Sequence, residues 1–187
     1  MKVLLDACVL VPSVLRAMLL ATADAGGFAP LWSARILEEW ARATRRLPGD
    51  AEAEARGEIA RLAAAWPEAM VPEDADLEAS LSLPDPGDRH VLAAAITGGA
   101  GTLVTLNRAD FPTRTLARHG ILLREPDGFL VELDASLGLG PVATAVRARA
   151  EWLAGRSLAL RPLLRRAGLP RLGEALAARE AVTLPGS

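Results

Sequence analysis

Five acidic side chains stand where predicted strands end or within predicted helices, which makes them candidates for shared chemistry. Asp6 ends the first predicted strand, Glu38 and Glu39 lie one to two turns into the second predicted helix, Asp88 stands at the N-cap of a buried helix, and Asp110 follows the next strand. Carboxylates at the start of a helix and beyond the end of a neighbouring strand meet at one crevice of an open α/β sheet. The alternative is that they are ordinary surface and capping acids.

Carboxylates gathered in one crevice repel one another unless something neutralises them. Four carboxylates about 5 Å apart, at an effective dielectric constant of about 20, repel by roughly 3 kcal/mol per pair and roughly 20 kcal/mol in all. A domain with a stability of about 5–15 kcal/mol does not tolerate that, so we expect a raised pKa on at least one acid or a bound divalent cation. Oxygen ligands alone favour Mg²⁺ or Mn²⁺ over zinc, and such an ion activates water and neutralises a phosphodiester.

Strands and helices alternate around these acids. The stretch Leu83–Pro112 holds a Pro/Gly turn with Asp85, an apolar helix over Arg89–Thr97 that should be buried, and a β-branched strand over Thr102–Thr105. The other predicted strands are Lys2–Leu5, Met70–Val71 and Ile121–Leu123. This alternation predicts an α/β fold with a parallel sheet.

Composition limits the class of protein. The chain has 187 residues, of which 51% are hydrophobic, so a sizeable core is expected. Its single cysteine, Cys8, excludes an internal disulfide and fits a reducing compartment. No apolar run is long enough for a membrane span, and the first residues lack a signal-peptide pattern, so we predict a cytoplasmic protein with no membrane partner. No glycine-rich phosphate-binding motif follows a strand, which argues against nucleotide binding.

The C-terminal part of the chain differs in charge from the rest. Residues 1–134 carry 13 Lys+Arg against 20 Asp+Glu, whereas residues 135–187 carry 8 Arg against 3 Glu. Gly138–Pro141 marks the boundary, because proline there can start a helix. We predict a domain over 1–134 and a basic helical C-terminal extension over 135–187. Its apolar residues, Trp152 and Leu153 among them, should pack on the body, a second copy or a partner.

Four sequence blocks occur in order along residues 1–134. They are Val3–Leu10, Ser33–Trp40, Asp85–Ala95 and Val104–Pro112. Together they resemble the PIN domain, the fold of metal-dependent ribonucleases that includes the VapC-type toxins of toxin–antitoxin pairs. The resemblance implies a three-layer α/β/α fold with a short central parallel sheet, and the C-terminal helical extension lies outside it.

The resemblance also implies which residues form the site. The implied acidic quartet, both catalytic and metal-binding, is Asp6, Glu39, Asp88 and Asp110. Asn107 stands where some relatives carry another Asp, so the fourth ligand position is shared or shifted between Asn107 and Asp110. Thr105, which could orient a ligand or water, and the turn residue Asp85 are supporting candidates. His90 is expected to be a packed, hydrogen-bonded histidine, and Cys8 a core thiol.

The resulting hypothesis is a Mg²⁺- or Mn²⁺-dependent endoribonuclease that acts on RNA as the toxin of a toxin–antitoxin pair. A toxin requires a cognate antitoxin that blocks the acidic crevice, and by resemblance it often forms a homodimer. The alternative is a non-catalytic PIN-like module that binds RNA or a protein. A phosphoacceptor role for Asp6 is disfavoured, because no second acid follows two residues later as haloacid-type phosphatases need.

Overall fold

One five-stranded sheet organises the fold. A computed structural model describes residues 1–183 of the chain. The strands are β1 (Lys2–Leu5), β2 (Ala29–Ser33), β3 (Met70–Val71), β4 (Thr102–Val104) and β5 (Leu122–Arg124). All neighbours pair in parallel, in the order β3-β2-β1-β4-β5. The predicted α/β class with a short central parallel sheet is confirmed.

Helices connect the strands, because parallel neighbours cannot be joined by a tight turn. Further helices form the C-terminal part. In chain order the helices are α1 (Ala7–Leu10), α2 (Ser13–Asp24), α3 (Ala34–Ala43), α4 (Ala51–Ala65), α5 (Ala75–Ser80), α6 (Arg89–Thr97), α7 (Thr113–Ala117), α8 (Pro126–Leu137), α9 (Gly140–Ala154), α10 (Leu160–Arg166) and α11 (Pro170–Thr183). Within residues 1–183, none of these helices combines the length and the apolar character that crossing a membrane requires.

The chain forms two compact units. The first comprises residues 1–11 and 28–124 and contains the whole sheet with α1 and α3–α7. The second comprises residues 12–27 and the chain from residue 125 onward, and it is helical. The chain therefore enters the second unit early, through α2, before it completes the sheet. The separate prediction of domains over 1–134 and 135–187 stays a prediction.

β1 lies at the centre of the sheet, and the strand order reverses beside it. The chain runs outward from β1 through β2 to β3, and then returns to the other side of β1 with β4 and β5. Val3, Leu4 and Leu5 are fully buried as a result. The crevice beyond the carboxyl ends of the two strands at such a reversal is the usual ligand site of an open α/β sheet. Asp6 follows β1 there, and its backbone N–H donates to the carbonyl of Val104 on β4 at 3.2 Å.

β2 is the strand that the sequence pattern does not predict. Pro30 lies in the middle of it and has no N–H to give to the ladder, and proline is normally confined to edge strands. In the structure β2 is an interior strand that pairs with both β1 and β3. Leu31 and Trp32 are buried, and this apolar burial favours the interior position despite the proline.

α6 is buried over its central residues, as its composition predicts. Its residues Val91–Ala95 are buried, and it packs on β1 and β2. The helix ends before Gly98, and Gly99 adopts the left-handed conformation with a φ of 66°. An L side chain is rarely found at that φ, so the Gly98–Gly99 pair is a genuine helix stop.

The second unit is a helical assembly with its own core. α2 packs against α8, α9 and α10, and α11 packs against α8 and α10. Its buried apolar residues in the C-terminal part are Leu139, Ala143, Val146, Leu164, Leu169, Leu172 and Leu176. In contrast, Trp152 and Leu153 of α9 are 70% and 67% exposed. Within residues 1–183 nothing buries these two side chains, and their predicted covering by a second copy or a partner stays a prediction.

Candidate metal centre

Three carboxylates of the first unit lie together. A 3-10 turn (Pro86–Asp88) lies just before α6. Asp85 directly precedes this turn, Asp88 is its last residue, and Asp110 follows β4. One carboxylate oxygen of each lies within 4.8 Å of the others. Asp85 is exposed, whereas Asp88 and Asp110 are half-buried. The sequence analysis predicted Asp88 and Asp110 as neighbours and Asp85 as a supporting residue.

Asp85, rather than Asp88, uses its side chain as a cap. Asp88 stands at the N-cap position of α6, as predicted, but its carboxylate makes none of the capping hydrogen bonds expected of an aspartate there. Asp88 has a φ of −89° and a ψ of 0°, which continue the 3-10 turn instead of giving the extended backbone of an N-cap. The Oδ1 atom of Asp85 accepts from the N–H of Gly87 at 2.7 Å and closes the turn. The Asp88 carboxylate is not used in capping, and it belongs to the group of close carboxylates in the crevice.

The electrostatics of the crevice act most strongly on Asp88. Burial raises the pKa of Asp88 to about 6, with further contributions from the negative charges of Asp6, Asp85 and Asp110; the nearby His90 acts in the opposite direction. The expectation that at least one clustered acid has a raised pKa is confirmed. Asn107 moderates the charge, because its Nδ2 donates to Asp88 Oδ2 at 3.1 Å.

Asp6 is held at the rim of this group by a hydrogen-bonded loop. Its side chain is 7% exposed, and its Oδ2 accepts from Thr105 Oγ1 at 2.6 Å and from Cys8 Sγ at 3.1 Å. The loop after β4 supports both donors: Asn107 N–H donates to Thr105 Oγ1 at 2.9 Å, and Leu106 N–H donates to Cys8 Sγ at 3.2 Å. Oδ2 is therefore committed to the protein, which fixes the direction of the carboxylate.

Cys8 is the participant that sequence reasoning missed. It was expected to be a core thiol, and in the structure it is only half-buried and contacts Asp6. Burial and the negative charge of Asp6 raise the pKa of the thiol to about 12, so the sulfur keeps its proton and can donate it. The signal available in the sequence was position, since Cys8 lies two residues after the strand-end Asp6.

Glu39 lies in a different set of contacts. Its Oε1 is 2.9 Å from Nε2 of His90 and 3.5 Å from Nε of Arg35. The His90 ring is 5% exposed and is packed and hydrogen-bonded, although its Nδ1 has no hydrogen-bond partner within the described residues. Neither Glu39 nor Asp6 belongs to the group of mutually close carboxylate oxygens. The assignment of Asp6, Glu39, Asp88 and Asp110 as a ligand quartet stays a prediction.

Glu38, the neighbour of Glu39, belongs to a surface network. It pairs with Arg42 and Arg56, each at 2.8 Å, and Arg56 also pairs with Glu52 at 2.7 Å. Hydrogen bonds from Arg56 and Arg42 lower the pKa of Glu38 to about 2. Glu38 is therefore a surface acid whose charge is paired with two arginines.

The donor set of the crevice fits a hard divalent cation. Asp85, Asp88 and Asp110 offer carboxylate oxygens only, which Mg²⁺ and Mn²⁺ prefer. Burial raises the pKa of Asp88, and the neighbouring negative charges of Asp6, Asp85 and Asp110 raise it further, so a bound cation would favour the ionised carboxylate. Thr105 and Asn107 are the predicted supporting residues. Thr105 orients the carboxylate of Asp6 and Asn107 that of Asp88, each through a hydrogen bond from an uncharged side chain.

The comparisons with known proteins agree with this geometry. No curated protein and no solved structure matches the chain. A family model of PIN domains, which are generally metal-dependent nucleases, matches residues 2–109, or 108 of the 187 residues. The match contains Asp6, Glu39 and Asp88 and ends directly before Asp110. Because it covers more than half of the chain and contains four of the five strands, β1 to β4, this protein belongs to the PIN domain family.

Proposed function

We propose that this protein is a Mg²⁺- or Mn²⁺-dependent endoribonuclease. The observation that carries the proposal is the group of three carboxylates, Asp85, Asp88 and Asp110, at the reversal point of a PIN-domain sheet. Proteins of this family generally act as metal-dependent nucleases, so the family supports nuclease-type activity. RNA as the substrate and cleavage within the strand are the finer parts of the proposal.

The residues that would hold the ion are Asp88 and Asp110, with Asp6 beside them. Asp6 would use Oδ1, since Oδ2 accepts from Thr105 and Cys8. When bound, a divalent ion supplies charge neutralisation at a phosphodiester and acidifies water. Glu39 completes the proposed quartet once its contacts with His90 and Arg35 give way. Asp85 keeps the turn closed and adds negative charge to the crevice.

The cellular role that we propose is that of a toxin in a toxin–antitoxin pair. Its partners would be substrate RNA, an antitoxin protein that covers the acidic crevice, and a second copy of the chain in a homodimer. The proposed location is the cytoplasm, where RNA is accessible and Cys8 stays reduced. A small antitoxin-like open reading frame beside the gene would support this role.

The direct test is to map cleavage of total cellular RNA. The purified chain is incubated with Mg²⁺, with Mn²⁺ and with excess EDTA, and new RNA ends are sequenced. We expect discrete ends with either ion, no cleavage in EDTA, and no cleavage by Asp88→Asn. Asp76→Asn is the matched control, because it makes the same chemical change at an exposed acid of α5 outside the crevice. Undiminished cleavage in EDTA would contradict the proposal.

One observation favours the alternative of a non-catalytic module. Glu39 is paired with His90 and Arg35, so one acid of the proposed quartet is engaged elsewhere. A module of this kind would bind RNA or a protein partner, and it would leave RNA uncleaved in the presence of either Mg²⁺ or Mn²⁺. The mapping experiment separates the two functions, since the alternative predicts no metal-dependent ends at all.

A further inference from the structure

Trp152 and its neighbours form an exposed patch on the second unit. We define this Trp152 patch as Arg149, Trp152, Leu153 and Arg156. The two apolar side chains are 70% and 67% exposed, and both arginines are exposed. Exposed tryptophan is unusual, because a side chain of this size normally gains free energy from burial. The patch is therefore a surface whose occupant has to be identified.

The aromatic ring is already arranged for stacking. The guanidinium carbon of Arg149 lies 4.7 Å from the centroid of the Trp152 ring, which is the geometry of a cation–π contact. Arg149 and Trp152 are three residues apart on α9, so they share one side of the helix. The arginine limits the motion of the ring while most of the side chain stays open to solvent.

The charge around the ring is positive and is not cancelled locally. Within the part of the chain that the structure describes, no acidic side chain pairs with Arg149 or Arg156. The acid nearest in sequence, Glu151, accepts from the N–H of Leu158 at 2.8 Å and from Ser157 Oγ at 3.2 Å, which also lowers its pKa. Its charge is thus directed to the turn that follows α9 and not to the two arginines.

We propose that the Trp152 patch binds single-stranded RNA. A base would stack on Trp152, and Arg149 and Arg156 would contact the flanking phosphates, which is the combination of aromatic platform and positive charge that unpaired nucleic acid recognises. A second copy that covered Leu153 with its own Trp152 patch would bring its arginines against these arginines. Charge complementarity therefore favours an anionic strand over a symmetric contact between two such patches.

This inference depends on the proposed RNA substrate but concerns residues of the second unit and none of the carboxylates of the acidic crevice. Binding can be measured without cleavage, on the full chain in EDTA. The probe is a fluorescein-labelled oligouridine of about 12 nucleotides, which is within the span of such sites. Fluorescence anisotropy gives the affinity across a salt series, and light scattering gives the oligomeric state of every variant.

Trp152→Ala should weaken binding of the oligouridine about tenfold or more, whereas Trp152→Phe should retain most of the affinity, because phenylalanine still offers a ring. In the double variant Arg149→Ala/Arg156→Ala, the negative slope of log affinity against log salt should become shallower by about 1.4, because two phosphate contacts are lost. Arg114→Ala/Arg118→Ala, which removes the same charge from an exposed part of the first unit, is the matched control and should bind more tightly than the patch variant.

The outcomes separate this inference from the proposed function. Unchanged affinity of Trp152→Ala, or a wild type that does not bind the oligouridine, overturns the inference even if the protein cleaves RNA. Loss of an oligomer in Trp152→Ala with unchanged RNA affinity also overturns it and assigns the patch to a second copy. Trp152-dependent binding by a protein that cleaves no RNA supports the inference while contradicting the proposed endoribonuclease.

Discussion

Asp85 and Asp88 lie three residues apart in one turn, yet their side chains have different surroundings. Asp85 closes the turn through Gly87, whereas Asp88 makes no capping bond and has a raised pKa. Asp88→Asn should reduce RNA cleavage by about 100-fold or more, because it removes charge from the proposed metal-binding group. Asp85→Asn should keep much of the activity, since an asparagine oxygen can still accept from Gly87. Single-turnover cleavage with Mn²⁺ measures both, and a larger loss in Asp85→Asn would reverse the assignment.

The loop after β4 provides a second residue-scale prediction. Thr105 Oγ1 donates to Asp6 Oδ2 and is fully buried, so Thr105→Val should cost about 1.5–3 kcal/mol of unfolding free energy and weaken Mn²⁺ binding. Thr105→Ser restores the hydroxyl and should restore Mn²⁺ affinity. Thr102→Val changes a buried threonine of β4 and is the control, and it should leave Mn²⁺ affinity unchanged. Calorimetric Mn²⁺ titration is the decisive measurement, and equal loss in both valine variants would contradict a positioning role.

The kinds of residue at the site could be predicted better than their contacts. The positions of Asp88 and Asp110 beside strand and helix ends follow from chain order, and the structure places them together. The pairing of Glu39 with His90 depends on side-chain direction at the α3–α6 contact, which spacing along one chain does not encode. Cys8 lies two residues after Asp6 in the sequence, but its contact with the backbone N–H of Leu106, 98 residues away, could not be predicted from that position.

Elements with strong local signals were predicted within a few residues. β1, β3, α6 and the helices after Gly138 follow from apolar runs and from Pro or Gly boundaries. β2 was missed because Pro30 contradicts an interior strand, and its position is decided by burial of Leu31 and Trp32 against neighbours far along the chain. Asp88 occupies the predicted N-cap position but lacks the capping hydrogen bond, because the 3-10 turn before α6 excludes the extended backbone that such a bond needs.

The start of α3 carries an element-scale prediction. Ser33 is buried, and its Oγ accepts from the N–H of Ile36 at 3.2 Å, which caps the helix. Ser33→Ala should cost about 1 kcal/mol of unfolding free energy, or a Tm lower by about 2–4 °C for a chain of this size. Ser80→Ala removes an exposed hydroxyl that bonds to Leu77, and its change should stay within about 0.5 kcal/mol. Denaturant unfolding measures both, and equal effects would contradict a specific cap.

Removal of the C-terminal helices tests the molecule as a whole. In the second unit, α2 packs against α9 and α10, and α8 packs against α11. A chain ending at Leu137 would leave α2 and α8 without these partners and expose apolar surface such as Leu15, Met18 and Leu19. We expect lower solubility or a changed oligomeric state, measured by light scattering. A truncated chain that stays soluble, unchanged in mass and fully active would contradict this expectation.

The dependence of global stability on pH follows from the same crevice. An acid whose folded-state pKa is raised destabilises the folded protein at high pH: the penalty is absent below its ordinary value of 3.8 and grows until the pH passes the folded value of about 6. Without metal, wild type and Asp88→Asn should therefore melt alike near pH 4. Asp88→Asn should melt higher from about pH 6 upward, because it no longer buries a charged carboxylate or repels Asp6, Asp85 and Asp110.

Metal should reverse that order of stability. A cation that binds only the folded state raises Tm by mass action, so Mg²⁺ should stabilise the wild type more than Asp88→Asn, which lacks one proposed ligand. The measurement is a melting series of both proteins from pH 4 to 8, with Mg²⁺ and with EDTA, and with Asp76→Asn as the control. If Asp88→Asn melts no higher than the wild type at neutral pH in EDTA, Asp88 is a structural residue, since relief of repulsion would then be smaller than the loss of its hydrogen bond from Asn107.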